Sequence, residues 1–145
     1  MNEALQYAEK YKDYGGIDFI DSILGCFTGR NMRPLETIDF VGIDIHKSIV
    51  DNVRKNSKED DKDSFKLPKF VDDLVKNGFL GIKTNCGLYK TVDNKKMVYD
   101  INTKEYREVI KYNFYFVERA ISELANGNYI EGYNLIKNDP SLESD

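Results

Sequence analysis

The chain has no tryptophan, one histidine, two cysteines and three prolines among its 145 residues. One histidine with Cys26 and Cys86 cannot supply the four ligands of a structural zinc site. Two cysteines also make no disulfide framework, so they read as reduced thiols of a cytoplasmic protein. No apolar run approaches the roughly 20 residues of a membrane span, and the first residues carry no signal-peptide pattern. Positive charge is not in excess: Lys and Arg number 21 against 25 Asp and Glu, a net charge of −4. A chain that coats nucleic acid needs a basic face, and this balance does not provide one. Nor does a G-x-G-x-x-G follow any strand, so the dinucleotide fingerprint is missing. What is present, 41% hydrophobic residues with aromatics in good number, suits one soluble globular domain. A chain of this length buries roughly 70% of its unfolded surface without metal or disulfide.

The patterning is mostly helical. Apolar residues fall at helical spacing over residues 4–11, and Gly15-Gly16 stops the run. A second helix begins near Ile17 with Phe19, Ile20, Ile23 and Leu24 on adjoining faces, before Gly25, Gly29 and Arg30-Asn31 open a loop. Pro34 restarts the chain at a favoured first helical position. Leu35, Ile38 and Val41 form one apolar face, and Gly42 is a left-handed stop. Asp44 reads as the N-cap of the next helix, which carries Ile45, Ile49, Val50 and Val53 toward the core. Residues 54–63, nearly all charged, read as a solvated helix end running into a mobile loop. Pro68 opens another helix, with Phe70, Val71, Leu74 and Val75 inward and Gly78 as its stop.

Three glycines within residues 78–89, Gly78, Gly81 and Gly87, signal irregular backbone. Residues 88–92 and 97–101 alternate apolar and polar around Asp93-Asn94-Lys95-Lys96, the pattern of a small β-hairpin. Thr103 is placed to cap a long helix striped by Val109, Ile110, Phe114, Val117, Ile121 and Leu124, ended by Asn126-Gly127. A short helix over 129–136 and an acidic tail over 138–145 complete the chain. The expected fold is all-α, mainly helical with one small β-hairpin, in a single domain over residues 1–145. Additional helices are expected over 103–137.

Few residues invite a catalytic reading. His46, in the first turn of the helix after Gly42, could act as a general base if a carboxylate oriented it. Nothing in the spacing brings Glu36 or Asp39 to it, and a half-exposed structural histidine is the simpler expectation. Cys86 has no second histidine to activate it. Gly81-Ile82-Lys83-Thr84 has the look of a P-loop ending, but Ile82 separates Gly from Lys and no strand precedes it. Gly78-Phe79-Leu80-Gly81 fits the GXXG outline of KH domains, yet Phe and Leu are poor phosphate neighbours. The helix pair around Gly42 has a helix-turn-helix outline, exposing Lys47, Ser48, Asp51, Asn52 and Lys55. An ordinary antiparallel helix pair uses a glycine turn equally well, and the net charge disfavours DNA.

Two segments carry a resemblance. Arg33-Pro34-Leu35-Glu36-Thr37-Ile38-Asp39-Phe40-Val41-Gly42-Ile43-Asp44 is similar to the G/R-P-L/F-E-x-x-D-x-x-G-L-D stretch of 3-hydroxyacyl-CoA dehydrogenases. Some forty residues on, Leu80-Gly81-Ile82-Lys83-Thr84-Asn85-Cys86-Gly87-Leu88-Tyr89 resembles their L-G-x-K-T-G-x-G-F-Y, with Asn85 in place of a glycine and Leu88 in place of a phenylalanine. Residues 70–78 between them resemble the family's intervening helix. The ordered pair points to the helical C-terminal domain of such enzymes, and the resemblance implies a family-like core over about 17–100. The family-motif positions are Pro34, Glu36, Asp39, Gly42, Asp44, Gly81, Lys83, Thr84, Gly87 and Tyr89.

The resemblance implies a structural part of an NAD-dependent enzyme that oxidises the 3-hydroxyl of an acyl-CoA, such as 3-hydroxybutyryl-CoA, in fatty-acid or butanoate metabolism. The family's nucleotide fold, catalytic histidine and partner glutamate belong to its N-terminal domain, and none of their motifs is among these residues. His46 does not match that histidine. The resemblance therefore implies no catalytic, cofactor or metal residue here, with NAD held by a Rossmann-type domain in cis or trans. It also implies a homodimer and an acyl-CoA cleft shared between domains. Glu36 and Asp39 are candidate buried anchors on an apolar helix, with Lys83 as a candidate partner. Gly81 and Gly87 are candidates for close backbone approach. The competing expectation is a non-enzymatic helical dimerisation or adaptor module.

Overall fold

The computed structural model describes residues 1–26, 31–58 and 62–138. The loop glycine Gly29, the middle of the charged run and nearly all of the acidic tail lie outside the described residues. Among the described residues there are seven α-helices and a small sheet: α1 (Asn2–Lys10), α2 (Ile17–Cys26), α3 (Pro34–Val41), α4 (Ile43–Asn56), α5 (Lys69–Lys76), α6 (Tyr115–Ala125) and α7 (Tyr129–Lys137). The strands are β1 (Tyr89–Val92), β2 (Lys95–Tyr99) and β3 (Tyr106–Glu108), antiparallel in that order. The architecture is mainly helical with a minor sheet, as the patterning indicates.

One core ties α1, α2, α3, α5 and the sheet together, around fully buried Leu5, Ile17, Leu35, Ile38, Val71, Leu74, Leu88 and Val98. Gly15-Gly16 joins α1 to α2 with both residues at positive φ, where a side chain is strained. Gly25 does not open a loop; it is still within α2.

The junction of α3 and α4 departs from expectation. Gly42, at φ 108° and ψ 126°, is itself the N-cap of α4, so Asp44 sits inside the first turn and is not its cap. The Ile43 N–H donates to the Leu80 carbonyl at 3.1 Å, which commits Ile43 to the core. Helical periodicity then buries Ile43, His46 and Val50. Ile45, Ile49 and Val53 were expected inward but stand 45%, 55% and 41% exposed. An apolar stripe alone does not say which of two adjoining faces the start of a helix turns inward.

The hairpin turn is tighter than the pattern suggests. Asp93 (φ 50°) and Asn94 (φ 61°) make a two-residue turn, the primed geometry that matches strand twist. Lys95 and Lys96 therefore belong to β2, with Tyr89 opposite Val98 and Val92 opposite Lys95.

Thr103 caps no helix. The Asp100 carboxylate accepts the N–H groups of Asn102 and Thr103, each at 2.9 Å, and turns the chain back. β3 then pairs with β2, Tyr99 opposite Tyr106. The expected long helix begins only at Tyr115. Its first part is extended because Arg107 reaches into Asp18.

Candidate functional site

The site is built around carboxylates buried between α2, α3 and β1. Helix α3 begins with Pro34 at its first position, so the proline's missing N–H costs nothing. The next free donors, the backbone N–H groups of Leu35 and Glu36, donate to the Asp21 carboxylate of α2 at 2.7 and 3.1 Å. A neighbouring helix thus caps α3. Asp39, one turn on and 5% exposed, accepts the backbone N–H groups of Leu88 and Tyr89 at 2.8 and 2.7 Å. The Tyr89 hydroxyl in turn donates to Asp21 at 2.9 Å. Tyr89 therefore joins both aspartates, through its amide and through its phenol.

Gly81 and Gly87 allow this approach. A Cβ on Gly81 would stand 2.2 Å from the Asp39 carbonyl oxygen, and one on Gly87 would stand 2.3 Å from Asp39 Oδ1. Between them a 3-10 turn, Ile82–Thr84, is closed by a Gly81–Cys86 bridge. The Thr84 hydroxyl lies 2.8 Å from the Cys86 carbonyl and accepts the Leu80 N–H at 3.0 Å. Asn85, where the family pattern has glycine, adopts φ 54°, a left-handed conformation that asparagine tolerates better than most residues.

Lys83 does not partner Glu36 or Asp39. It bonds Asp44 at 2.5 Å across the Gly42 turn, where a Cβ on Gly42 would meet Lys83 Nζ at 3.1 Å. This ion pair holds the Asp44 carboxyl below its ordinary value. Glu36 instead pairs with Lys96 of β2, whose ammonium stands 4.4 Å from the Tyr89 ring centre. Glu36 also accepts the Arg33 N–H at 3.4 Å.

A cleft of about 530 Å³ opens here, lined by the buried Asp39 and Tyr89. Glu36, Lys90, Thr91 and Lys96, with Met32, Ile82 and Asn85, complete its lining. Burial pushes the Asp39 carboxyl up to about 6 against the pull of its two backbone donors, and the nearby Asp21 charge adds to the rise. Asp21 is likewise pushed up to about 6 by burial. Burial first, and then Asp21, raise the Tyr89 phenol well above its ordinary value.

The remaining chemistry-bearing residues stand elsewhere. His46 is 6% exposed rather than half-exposed, and its Nε2 has no hydrogen-bond partner. Burial and then the N-terminal amine hold the imidazole below its ordinary pKa, and it does not line the cleft. Cys86 donates to the Tyr106 hydroxyl at 3.1 Å, with no imidazole beside it. Among the described residues no three His, Cys, Asp or Glu side chains form a metal-binding group. The arrangement positions backbone and shapes a cleft; its buried carboxylates are occupied by amide donors.

Asp21, Lys96 and the Asp18–Arg107 pair escaped the sequence reading. Asp18, fully buried, takes Arg107 in a two-pronged pair, Nη2 to Oδ1 at 2.7 Å and Nη1 to Oδ2 at 2.9 Å. It also accepts the Ile110 N–H at 2.9 Å. A signal for Asp18 and Asp21 existed: both interrupt an otherwise apolar helix, the same argument that marks Glu36 and Asp39. Nothing local marks Lys96.

A family model, 3-hydroxyacyl-CoA dehydrogenase, C-terminal domain, matches residues 1–91. The chain belongs to this family. The match takes in α1 to β1 and hence every motif position of the site. A probable 3-hydroxyacyl-CoA dehydrogenase of Bacillus subtilis (strain 168) is 32% identical over 84 residues, which are 57% of this chain and 10% of that protein. The chain thus matches about a tenth of the curated relative. Strands β2 and β3 and helices α6 and α7 lie beyond the segment that matches the 3-hydroxyacyl-CoA dehydrogenase C-terminal domain family.

Proposed function

We infer that this chain is the substrate-cleft and dimerisation domain of an NAD-dependent 3-hydroxyacyl-CoA dehydrogenase, acting on acyl-CoAs such as 3-hydroxybutyryl-CoA. It is catalytically silent alone and works with a Rossmann-type domain in cis or trans in the cytoplasm. The observation that carries the reading is the joint between the family's two motifs, Asp39 of the first accepting the Leu88 and Tyr89 N–H groups of the second, with Asp39 and Tyr89 lining an open cleft. No helix among the described residues is long and apolar enough to cross a membrane.

The residues present do not fit a nicotinamide nucleotide. Among the described residues the strands are short and antiparallel, whereas the dinucleotide site needs a parallel strand, a glycine turn and a helix N-terminus in succession. The nucleotide and the base that takes the hydroxyl proton therefore fall to the other domain. This chain's part is mechanical and electrostatic. Asp39 and Asp21 hold α3 against β1, so that the cleft keeps its shape when a second domain closes over it. Such closure excludes water from a reacting centre.

The test is NADH-dependent reduction of acetoacetyl-CoA. The chain alone is expected to show none above background, and a mixture with its Rossmann-domain partner is expected to turn over. Turnover by the chain alone overturns the reading. The second reading, a non-enzymatic dimerisation or adaptor module, draws on the exposed apolar face of α4 and is favoured if the chain self-associates but restores no activity.

A further inference from the structure

Among the described residues two apolar surfaces are left uncovered, one over residues 40–53 and one over 129–133. The first runs from Phe40 (66% exposed) and Val41 (41%) along α4 through Ile45, Ile49 and Val53. The second is on α7, where Tyr129, Ile130 and Tyr133 are 69%, 80% and 61% exposed. Helices α6 and α7 form a hairpin that packs chiefly on itself. Gly132 permits the close crossing: a Cβ there would stand 2.7 Å from the Leu124 side chain. The hairpin is rooted through buried Phe114 and partly buried Val117, and α7 carries its exposed residues away from the core.

Areas decide what covers them. With roughly 150–250 Å² per aromatic side chain, the α7 surface leaves roughly 400 Å² open, and the α4 surface roughly the same. Each is as large as the biggest patch usual on a monomer, about 300–600 Å². Pairing α4 with α4, or α7 with α7, covers only about 800 Å² in total, the scale of a packing contact. A two-fold pair in which the α6–α7 hairpin of each copy lies on α4 of the other covers all four surfaces. That sums to about 1,600 Å², the standard size of a stable interface.

We propose that the α6–α7 hairpin is an exchange arm: Tyr129, Ile130 and Tyr133 of one copy dock on the Ile45–Ile49–Val53 stripe of a second copy, and reciprocally. The proposal rests on the reading above only in taking the partner to be a second copy, and its arm lies outside the family-matched residues.

The test measures the mass in solution of the full chain, I49K and I130E, each also checked by circular dichroism for unchanged helix content. Both substituted side chains are exposed, so the fold should survive. The unaltered chain is expected to be a dimer at micromolar concentration. Each variant alone is expected to self-associate roughly tenfold or more weakly, since a charge now meets the apolar partner surface at both contacts. An equimolar mixture of the two, one labelled with nitrogen-15 and read by native mass spectrometry, is expected to give the heterodimer. There the introduced ammonium of I49K would meet the introduced carboxylate of I130E at one contact, and the other contact is native. A monomeric parent chain, a dimer indifferent to I130E, or a mixture without heterodimer each overturns the proposal. Restoration of dehydrogenase activity is measured separately, so the arm can fail while the enzyme reading stands.

Discussion

At the scale of single residues, Asp39 does the most to join the two family motifs. It is the acceptor for two buried backbone N–H groups across a sequence separation of 49 and 50 residues. An orphaned buried donor costs about 1–3 kcal/mol, so Asp39→Ala is expected to lower unfolding stability by about 3 kcal/mol, read from urea denaturation. Asp39→Asn keeps one acceptor oxygen and should lose less. Gly87→Ala attacks the same joint from the other side, because its Cβ would stand 2.3 Å from Asp39 Oδ1 and 2.5 Å from Gly81 Cα. It should cost about 2 kcal/mol, as overpacking against fixed backbone does. If Gly87→Ala proves neutral in the same titration, the approach of α3 to this loop is looser than the structure has it.

At the scale of elements, the pairing of Arg107 with Asp18 ties β3 and the extended chain after it to the start of α2. The Asp18 side chain is fully buried and that of Arg107 is 25% exposed. Removing one partner of a buried pair leaves an uncompensated charge, worth about 3–5 kcal/mol. Arg107→Met is expected to destabilise by about 3 kcal/mol, and adding Asp18→Asn should recover part of that. Equal and additive losses in this double-mutant cycle would contradict the pairing. Thr103 gives a second check on this region. Its hydroxyl accepts the Glu105 N–H at 3.4 Å and donates to the Asp100 carboxylate, both in an exposed turn, so Thr103→Ala should change stability by about 0.5 kcal/mol or less. Loss of a true helix N-cap would cost about 1 kcal/mol.

At the scale of the whole molecule, the raised carboxyls of Asp21 and Asp39 make stability depend on pH in an unusual sense. Both stand at about 6 when folded, whereas an unfolded aspartate releases its proton near its ordinary value. Between about pH 4 and pH 6 the folded state therefore holds more protons, and stability falls as the pH rises. The size is roughly 2–3 kcal/mol per carboxylate across that window. Asp44, Asp73 and Glu108 pull the other way: lysine partners lower them, so their contribution is lost as the pH falls toward their lowered pKa values. The two effects separate in variants. Urea midpoints from pH 4 to 7 should fall less steeply for Asp21→Asn than for the parent chain. An unchanged pH slope would mean that Asp21 ionises normally in the folded state.

Much of this molecule was legible in the residues. Pro34, Gly42, Pro68 and Gly78 mark helix ends through backbone constraints that act within a few residues. The hairpin around Asp93-Asn94 follows from alternation, and the motif pair identifies the family. What local pattern did not resolve depended on contacts distant in sequence. Ile43 is drawn inward by the Leu80 carbonyl, so α4 turns Ile45, Ile49 and Val53 to the surface. The chain after Asp100 becomes a strand because Arg107 finds Asp18, 89 residues earlier. Lys83 goes to Asp44, and Lys96 takes Glu36, because β2 brings that lysine across the cleft. Propensity, capping and turn chemistry are short-range terms and are written in the sequence. Which face is buried and which charge meets which carboxylate were decided only when the elements packed.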